Sequence, residues 1–317
     1  IACQVAYTVF GVKKKIARIR DLEYLSYENL FADESTPIDF TISPDLIASS
    51  YIKKLIKYQG TKQVFNFSSE ADCFINITFN EDNNTENTIQ YYQQACEKFN
   101  SKICAFIRND KLYSIEAGDT IEDGDELLFI CKEENIEDIT KLFGHNKNNR
   151  RIMIAGGGNI GKHLSENIRE SYQVKVIESN EERAEYLSEI LDNVTIINAD
   201  SSNEDILLEE NIEHMDVFCA LTNDDEANIL SAMLAKKLGS KTVISIINKI
   251  SYSDLLEKQE IDITVSPEDL TMGALLTHVR KGSVLKVHSL MRGNLELLEL
   301  EVRDKENSKT IGKNLEQ

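Results

Sequence analysis

Two hydrophobic rhythms alternate along this chain. Between residues 150 and 281, short apolar runs (Ile152 to Ala155, Val174 to Ile177, Val194 to Asn198, Val217 to Leu221, Thr242 to Ile247) predict buried strands. Segments of helical period separate them: Ile160, Leu164 and Ile168 fall four apart, and Glu181–Leu191, Ile206–Asn211 and Ile229–Leu238 follow the same logic. Strictly alternating strands and helices predict an α/β, doubly wound parallel sheet. Residues 63–145 differ. Val64 to Phe67 and Phe74 to Phe79 alternate with period two, and Ile89 to Phe99 is helical. Asp82-Asn83-Asn84 is a turn cluster, and Asn109-Asp110 between Ile103–Ile107 and Lys111–Ile115 is a hairpin signal. Gly118 to Asp125 makes a double turn before the strand Leu127–Cys131, and Ile136 to Phe143 closes a small α+β module as a helix. Asn146 to Asn149 is a polar linker.

The beginning of the chain resembles its later part. Residues 1–12 predict a helix with Val5, Val9 and Val12 on one face, ended by Gly11, and Lys15–Arg20 predicts a strand. Ile38–Ser43 is a second strand, and Pro44 opens a helix with Leu46, Ile47, Ile52, Leu55 and Ile56 on its apolar side. Ile229–Leu238, Gly239, Thr242–Ile247, Ile261–Ser266 and Pro267-Glu268 repeat that order. The offset is 252 − 24 = 228 at the tyrosines and 267 − 44 = 223 at the prolines, so one loop is shorter by five. The shared Ser-Pro-acid junction and the shared glycine stop mark an internal repeat. Val284–Val287 and Leu295–Val302 resemble the strands at 64–79 and begin a second small module.

The formal charge of −19 opposes sequence-independent nucleic-acid binding and docking on anionic lipid. It leaves either a self-repelling solvated surface or contact with a basic face of a partner. No apolar run is long enough for a transmembrane helix. The six cysteines form no C-x-x-C pair, and Cys104, Cys131 and Cys219 sit in apolar strand-like runs, so buried free thiols are expected. The five histidines are scattered and suggest no metal site. The first residue is Ile, and the chain is expected to be a fragment.

Chemistry concentrates at Gly156-Gly-Gly-Asn-Ile-Gly161, directly between a predicted strand and a predicted helix. In a dinucleotide-binding turn Gly156 permits the sharp bend, Gly158 admits the pyrophosphate and Gly161 lets the helix pack closely. The helix-start N–H groups then face the phosphates. Glu178 stands 178 − 156 = 22 residues on, at a strand end, where a carboxylate accepts ribose hydroxyls and repels a 2′-phosphate. That favours NAD(H) over NADP(H); a solvated strand-end acid is the plainer alternative. Asp200 ends the third strand and either touches nucleotide or caps the next helix. Thr222, Asn223, Asp224 and Asn228 follow the fourth strand at the ligand-binding edge, where helix capping by Thr222 or Asn223 explains them equally well. No nucleophile–base pair, paired-carboxylate site or P-loop lysine is present. The open readings are a non-enzymatic sensor, an NAD-dependent oxidoreductase, and a structural assembly module that binds nothing.

The glycine turn, Ala220-Leu-Thr-Asn-Asp-Asp-Glu-Ala-Asn228, Gly118-Asp-Thr-Ile-Glu-Asp-Gly-Asp-Glu126 and Ile16-Ala-Arg-Ile-Arg20 fall in one order that resembles the RCK/KTN family of potassium-transport regulators. The resemblance covers essentially the whole chain. It implies Rossmann-like N modules alternating with small α+β C modules: residues 1–62 the C-terminal part of a first N module, 63–145 a first C module, 150–281 a second, NAD-binding N module, and 282–317 the start of a second C module. A chain truncated at both ends follows from that alignment. The resemblance also implies NAD(H), with ATP or ADP as further ligands, held by Gly156, Gly158, Asn159, Ile160, Gly161, Glu178 and Asp200. Arg18 matches an arginine that reaches nucleotide phosphates, and its repeat counterpart is Ile246. The helices from Pro44 and Pro267 match crossover helices that pair N modules, although their apolar faces fit an intramolecular core equally. The implied partners are an integral membrane potassium transporter subunit and further copies of the chain in a dimer or tetramer ring.

Overall fold

The computed structural model describes the chain except for residues 21–23, 25–26, 28, 32–35, 70, 81–86, 117, 146–149, 250–251, 253–260, 280–283, 291–294, 303–310 and 312–317. The turn cluster at Asp82–Asn84 and the linker at Asn146–Asn149 therefore lie outside the described residues.

The central unit is a six-stranded parallel sheet: β8 (Arg151–Ala155), β9 (Gln173–Glu178), β10 (Val194–Asn198), β11 (Val217–Ala220), β12 (Thr242–Ile246) and β13 (Ile263–Val265). Their spatial order is β10-β9-β8-β11-β12-β13, the doubly wound Rossmann arrangement with its switch between β8 and β11. The helices are α5 (Asn159–Ile168), α6 (Glu181–Ile190), α7 (Glu204–Glu209), α8 (Asp225–Lys237) and α9 (Pro267–Val279). Strand β8 is buried on both faces. Ile152 and Ile154 join one apolar cluster with Leu164 of α5, while Met153 and Ala155 join another with Phe218 and Ala232. At the base of the sheet Asp216 accepts the N–H groups of Arg150 (2.8 Å) and Arg151 (2.9 Å) and pairs with Lys241. Burial opposes ionisation of Asp216, but the Lys241 ammonium and the two N–H groups outweigh it and hold the carboxyl below its ordinary range.

A second sheet has five antiparallel strands: β3 (Thr61–Asn66), β4 (Asp72–Thr78), β5 (Lys102–Arg108), β6 (Lys111–Ser114) and β7 (Glu126–Lys132), in the order β3-β4-β7-β5-β6. Helices α3 (Ile89–Glu97) and α4 (Ile136–Leu142) cover one face. Asn109 and Asp110 both take positive φ (50° and 58°), as a two-residue hairpin turn requires. On β5 the alternation buries Ile103 and exposes Cys104, so the expected burial of that thiol does not hold. Cys131 and Cys219 are buried, and the Cys73 and Cys131 sulfurs lie 3.3 Å apart as free thiols.

The internal repeat is written in the strand register. Strands β1 (Ile16–Arg18) and β2 (Phe40–Ile42) form a parallel pair with Ile16 opposite Phe40, and β12 and β13 pair with Ile244 opposite Ile263. The differences, 244 − 16 = 228 and 263 − 40 = 223, are the two offsets found in the sequence. Gly11 and Gly239 both take positive φ (62° and 104°) after their helices. The first helix, α1 (Ala2–Thr8), has no buried residue, and Val5, Val9 and Val12 are exposed rather than packed as a core face. Helix α2 (Pro44–Lys57) starts where Ser43 accepts the Leu46 N–H and Pro44 occupies the first turn; Lys54 and Lys57 stand at its C-terminal end.

Strands β14 (Val284–Leu290) and β15 (Leu295–Leu300) pair as a hairpin on the outer face of the five-stranded sheet. Leu290, Leu295 and Leu297 meet Phe65, Phe74, Ile107 and Leu128. His288 stacks on Phe65 at 4.3 Å, and 288 − 65 = 223, so repeat-equivalent positions touch one another. The Lys286 ammonium donates to the carbonyls of Asn66 (2.8 Å) and Phe67 (2.9 Å), and Glu299 accepts the Ser68 N–H at 2.8 Å.

Candidate functional site at the glycine turn

The turn between β8 and α5 lies at the C-terminal edge of the parallel strands, beside the switch in strand order. Gly156 has φ of 101°, and a Cβ there would lie 2.9 Å from the Thr222 backbone nitrogen. At Gly161 a Cβ would lie 2.0 Å from the Gly156 carbonyl oxygen, so only glycine lets the helix start close against the turn. Gly158 differs from both: a Cβ there would meet nothing within 4 Å. Gly158 is also the N-cap of α5 and offers no side chain to the first-turn N–H groups. In the same unit α6, α7 and α8 are capped by Asn180, Asn203 and Asp224. The helix left uncapped is the one behind open space, which fits an anion in the place of a cap.

Glu178 ends β9 beside this turn. Its Oε2 accepts the Gly157 N–H at 2.7 Å and its Oε1 accepts the Asn180 N–H at 2.8 Å. The carboxylate is thus fixed by the turn it borders, while each oxygen keeps capacity for a further donor. Two features here had no expected role. A Cβ at Gly157 would lie 2.3 Å from Leu187 Cδ1 and 3.1 Å from Glu178 Oε2, so a side chain there requires the Leu187 methyl to move. Arg183 on α6 donates from Nε to the Gly157 carbonyl at 2.8 Å. A basic residue on a polar helix carries no periodicity signal, so nothing in the sequence pointed to it.

Asp200 follows β10 and is exposed. It accepts the Ser202 N–H (2.8 Å) and Oγ–H (2.7 Å), bonds that hold its carboxyl below the ordinary range. Asn203, rather than Asp200, caps the following helix. After β11, Asp224 is the cap of α8, accepting the Ala227 N–H at 2.9 Å, so capping falls to neither Thr222 nor Asn223. Thr222 donates its N–H (2.8 Å) and hydroxyl (2.7 Å) to Asn228 Oδ1. Buried Asn228 in turn donates to the carbonyls of Thr222 (3.0 Å) and Ile246 (3.1 Å), tying the ends of β11 and β12 together. Asn223 is exposed at the rim.

The neighbouring repeat unit reaches the site. Helix α2 packs on α5, and Asn159 Nδ2 donates to Asp45 Oδ2 at 3.0 Å. Ile160 turns to the core side. Arg18 ends β1, exposed and in register with Ile42, three residues before Asp45. Helix α2 also packs on α9, so the two Pro-initiated helices meet within one chain. Among the described residues no group of three or more His, Cys, Asp or Glu is placed to hold a metal, and no helix is long and apolar enough to cross a membrane.

A Rossmann-like sheet with an open phosphate turn, flanked by a small α+β unit, defines a class of nucleotide-binding modules. Comparison with known proteins narrows it. Residues 152–267 match the family model described as the TrkA-N domain. The chain is 40% identical over 317 residues to the Trk system potassium uptake protein TrkA of Halomonas elongata, covering 99% of this chain and 69% of that protein. Identity to the protein of the same description from Vibrio alginolyticus is 38%, over 98% of this chain and 69% of that one. The chain belongs to the TrkA family. Among solved structures, the GsuK RCK domain superposes with a TM-score of 0.57 at 15% identity, covering 83% of this chain and 55% of that one. The GsuK channel bound to NAD gives 0.57 at 13% identity, covering 83% and 46%. These structures share the fold.

Proposed function

We propose that this chain is a non-enzymatic, nucleotide-sensing regulator of a potassium uptake system. Its ligand is NAD(H), with ATP and ADP as further candidates. Gly156, Gly158, Asn159, Ile160 and Gly161 surround the pyrophosphate, Glu178 accepts the ribose hydroxyls, and Asp200, Thr222, Asn223 and Asp224 form the rim. Arg18 approaches from the neighbouring unit. In this reading residues 1–62 and 150–281 belong to two N modules, and 63–145 and 282–317 to two C modules. The chain works at the cytoplasmic face of the membrane, on an integral potassium transporter subunit of the TrkH/TrkG type, within a homo-oligomeric ring.

What supports regulation over catalysis is the contact of α2 with α5. The helix that would cap a phosphate carries Asn159, and Asn159 is bonded to Asp45 of the other repeat unit. A ligand at the turn therefore acts on the packing between units, and shifts it to the extent that it binds two arrangements differently. Calorimetry with NADH, NAD, ATP and ADP tests the site. Saturable binding, lost in Gly158→Val, is the expected result; no binding at millimolar ligand would leave an assembly module instead. Hydride turnover on any substrate would favour an oxidoreductase and sink the regulatory reading.

A further inference from the structure

Two side chains of opposite charge grip one residue of the turn. Glu178 takes the Gly157 N–H at 2.7 Å, and Arg183 Nε gives a hydrogen bond to the Gly157 carbonyl at 2.8 Å. Both therefore stand at the end of the site where β9 stops, and each is held by the same glycine. The Arg183 guanidinium lies 5.1 Å from the centre of the Tyr186 ring. Lys162 of α5 approaches that ring at 5.6 Å and its hydroxyl at 3.4 Å. An arginine anchored through Nε keeps both terminal NH2 groups for another acceptor, in the planar fork that suits phosphate.

We propose that Glu178 and Arg183 together set the site's response to the 2′ position of the adenosine ribose. Glu178 accepts the free hydroxyls and repels a phosphate there. Arg183 is a phosphate receptor that Glu178 keeps out of use. This rests on the reading that the turn holds a dinucleotide. To the repulsion by Glu178 it adds a neighbouring cation, Arg183, suited to the excluded ligand. Exposed Glu181 and Glu182 begin the same helix as Arg183 and remain when Glu178 is neutralised, which limits the size of the effect.

The test is titration of the full chain with NADH and NADPH, in the wild type, Glu178→Gln, Arg183→Gln and the double variant, with thermal melts as a folding control. The wild type should prefer NADH. Glu178→Gln should move the NADPH-to-NADH affinity ratio toward NADPH by about tenfold. Arg183→Gln in that background should abolish the gain, and Arg183→Lys should restore part of it. A residue that merely braced the turn would weaken both ligands alike and leave the ratio unchanged. The proposal is overturned if the gain survives in the double variant, or if Glu178→Gln binds NADH without any change of ratio. Failure of the wild type to bind either dinucleotide overturns the site reading, and this proposal with it.

Discussion

Helices α2 and α9 begin alike and end up in different surroundings. Both follow a Ser-Pro-acid junction, and both follow strand pairs of identical register. On α2, Ser49 and Ile56 are each 1% exposed; their counterparts on α9, Met272 and Val279, are 54% and 65% exposed. The difference lies in the neighbours. Helix α2 rests on α5, the glycine-turn helix, whereas α9 rests on α2 and β14. A helix face is thus buried or bare according to what the fold places against it, even when the helix itself is repeated. The strands diverge too: Arg18 is an exposed cation, while Ile246 is buried at the end of β12, the strand next to the sheet's edge.

The largest expected effect bears on that turn. Gly158→Val fills the open space with a branched side chain, and NADH affinity should fall at least about a hundredfold, or roughly 2.7 kcal/mol. Because a Cβ at Gly158 meets no neighbour, the circular-dichroism spectrum should stay native; unchanged affinity would remove the turn from the site. The next test uses the place where the β14–β15 hairpin meets the five-stranded sheet. Burial, with Lys286 and Lys54 nearby, lowers the His288 pKa from 6.5 to about 4. The unfolded chain then takes this proton first, so stability is full above about pH 6.5 and declines as pH falls toward 4. Relative to His288→Phe, the wild type should lose roughly 2 kcal/mol between pH 7 and pH 5 in chemical denaturation. A constant difference across that range would contradict the buried neutral ring.

Substitution on the paired helices probes the asymmetry directly. Ser49→Leu overpacks the α2 contact and should cost about 1–3 kcal/mol. Met272→Ser on the bare counterpart should stay within about 0.5 kcal/mol. Equal costs would mean that α9 is covered in solution. Smallest of all, Asp45→Ala removes the acceptor of Asn159 and should cost about 1 kcal/mol or less. Its informative readout is a change in nucleotide affinity, and no change would uncouple α2 from the site.

Much of this was legible in the residues. Pro44, the Asn109-Asp110 turn, the glycine spacing and the two repeat offsets each act through local backbone chemistry, and each appears where expected. What depended on assembly was not. Cys104 sits among apolar residues, yet period two sends it outward. Val5, Val9 and Val12 make a helical stripe that stays exposed among the described residues. Arg183 became part of the turn because the fold brings α6 close enough for its Nε to reach the Gly157 carbonyl. Asp225, buried and accepting the N–H groups of Asn248 and Lys249, likewise needed the fold to bring the start of α8 to the segment after β12.

The Asn159–Asp45 bond sets a scale for how strongly a ligand can speak to the other unit. One neutral-to-charged hydrogen bond at a partly exposed site transmits about 1 kcal/mol, a factor of about five in an equilibrium. Driving a two-state assembly from almost all one form to almost all the other takes about 5.5 kcal/mol. The bond alone therefore makes a dimmer, graded with nucleotide level. A switch requires the apolar contact of α2 on α5 to open with it, or several copies of the contact to act in concert around a ring.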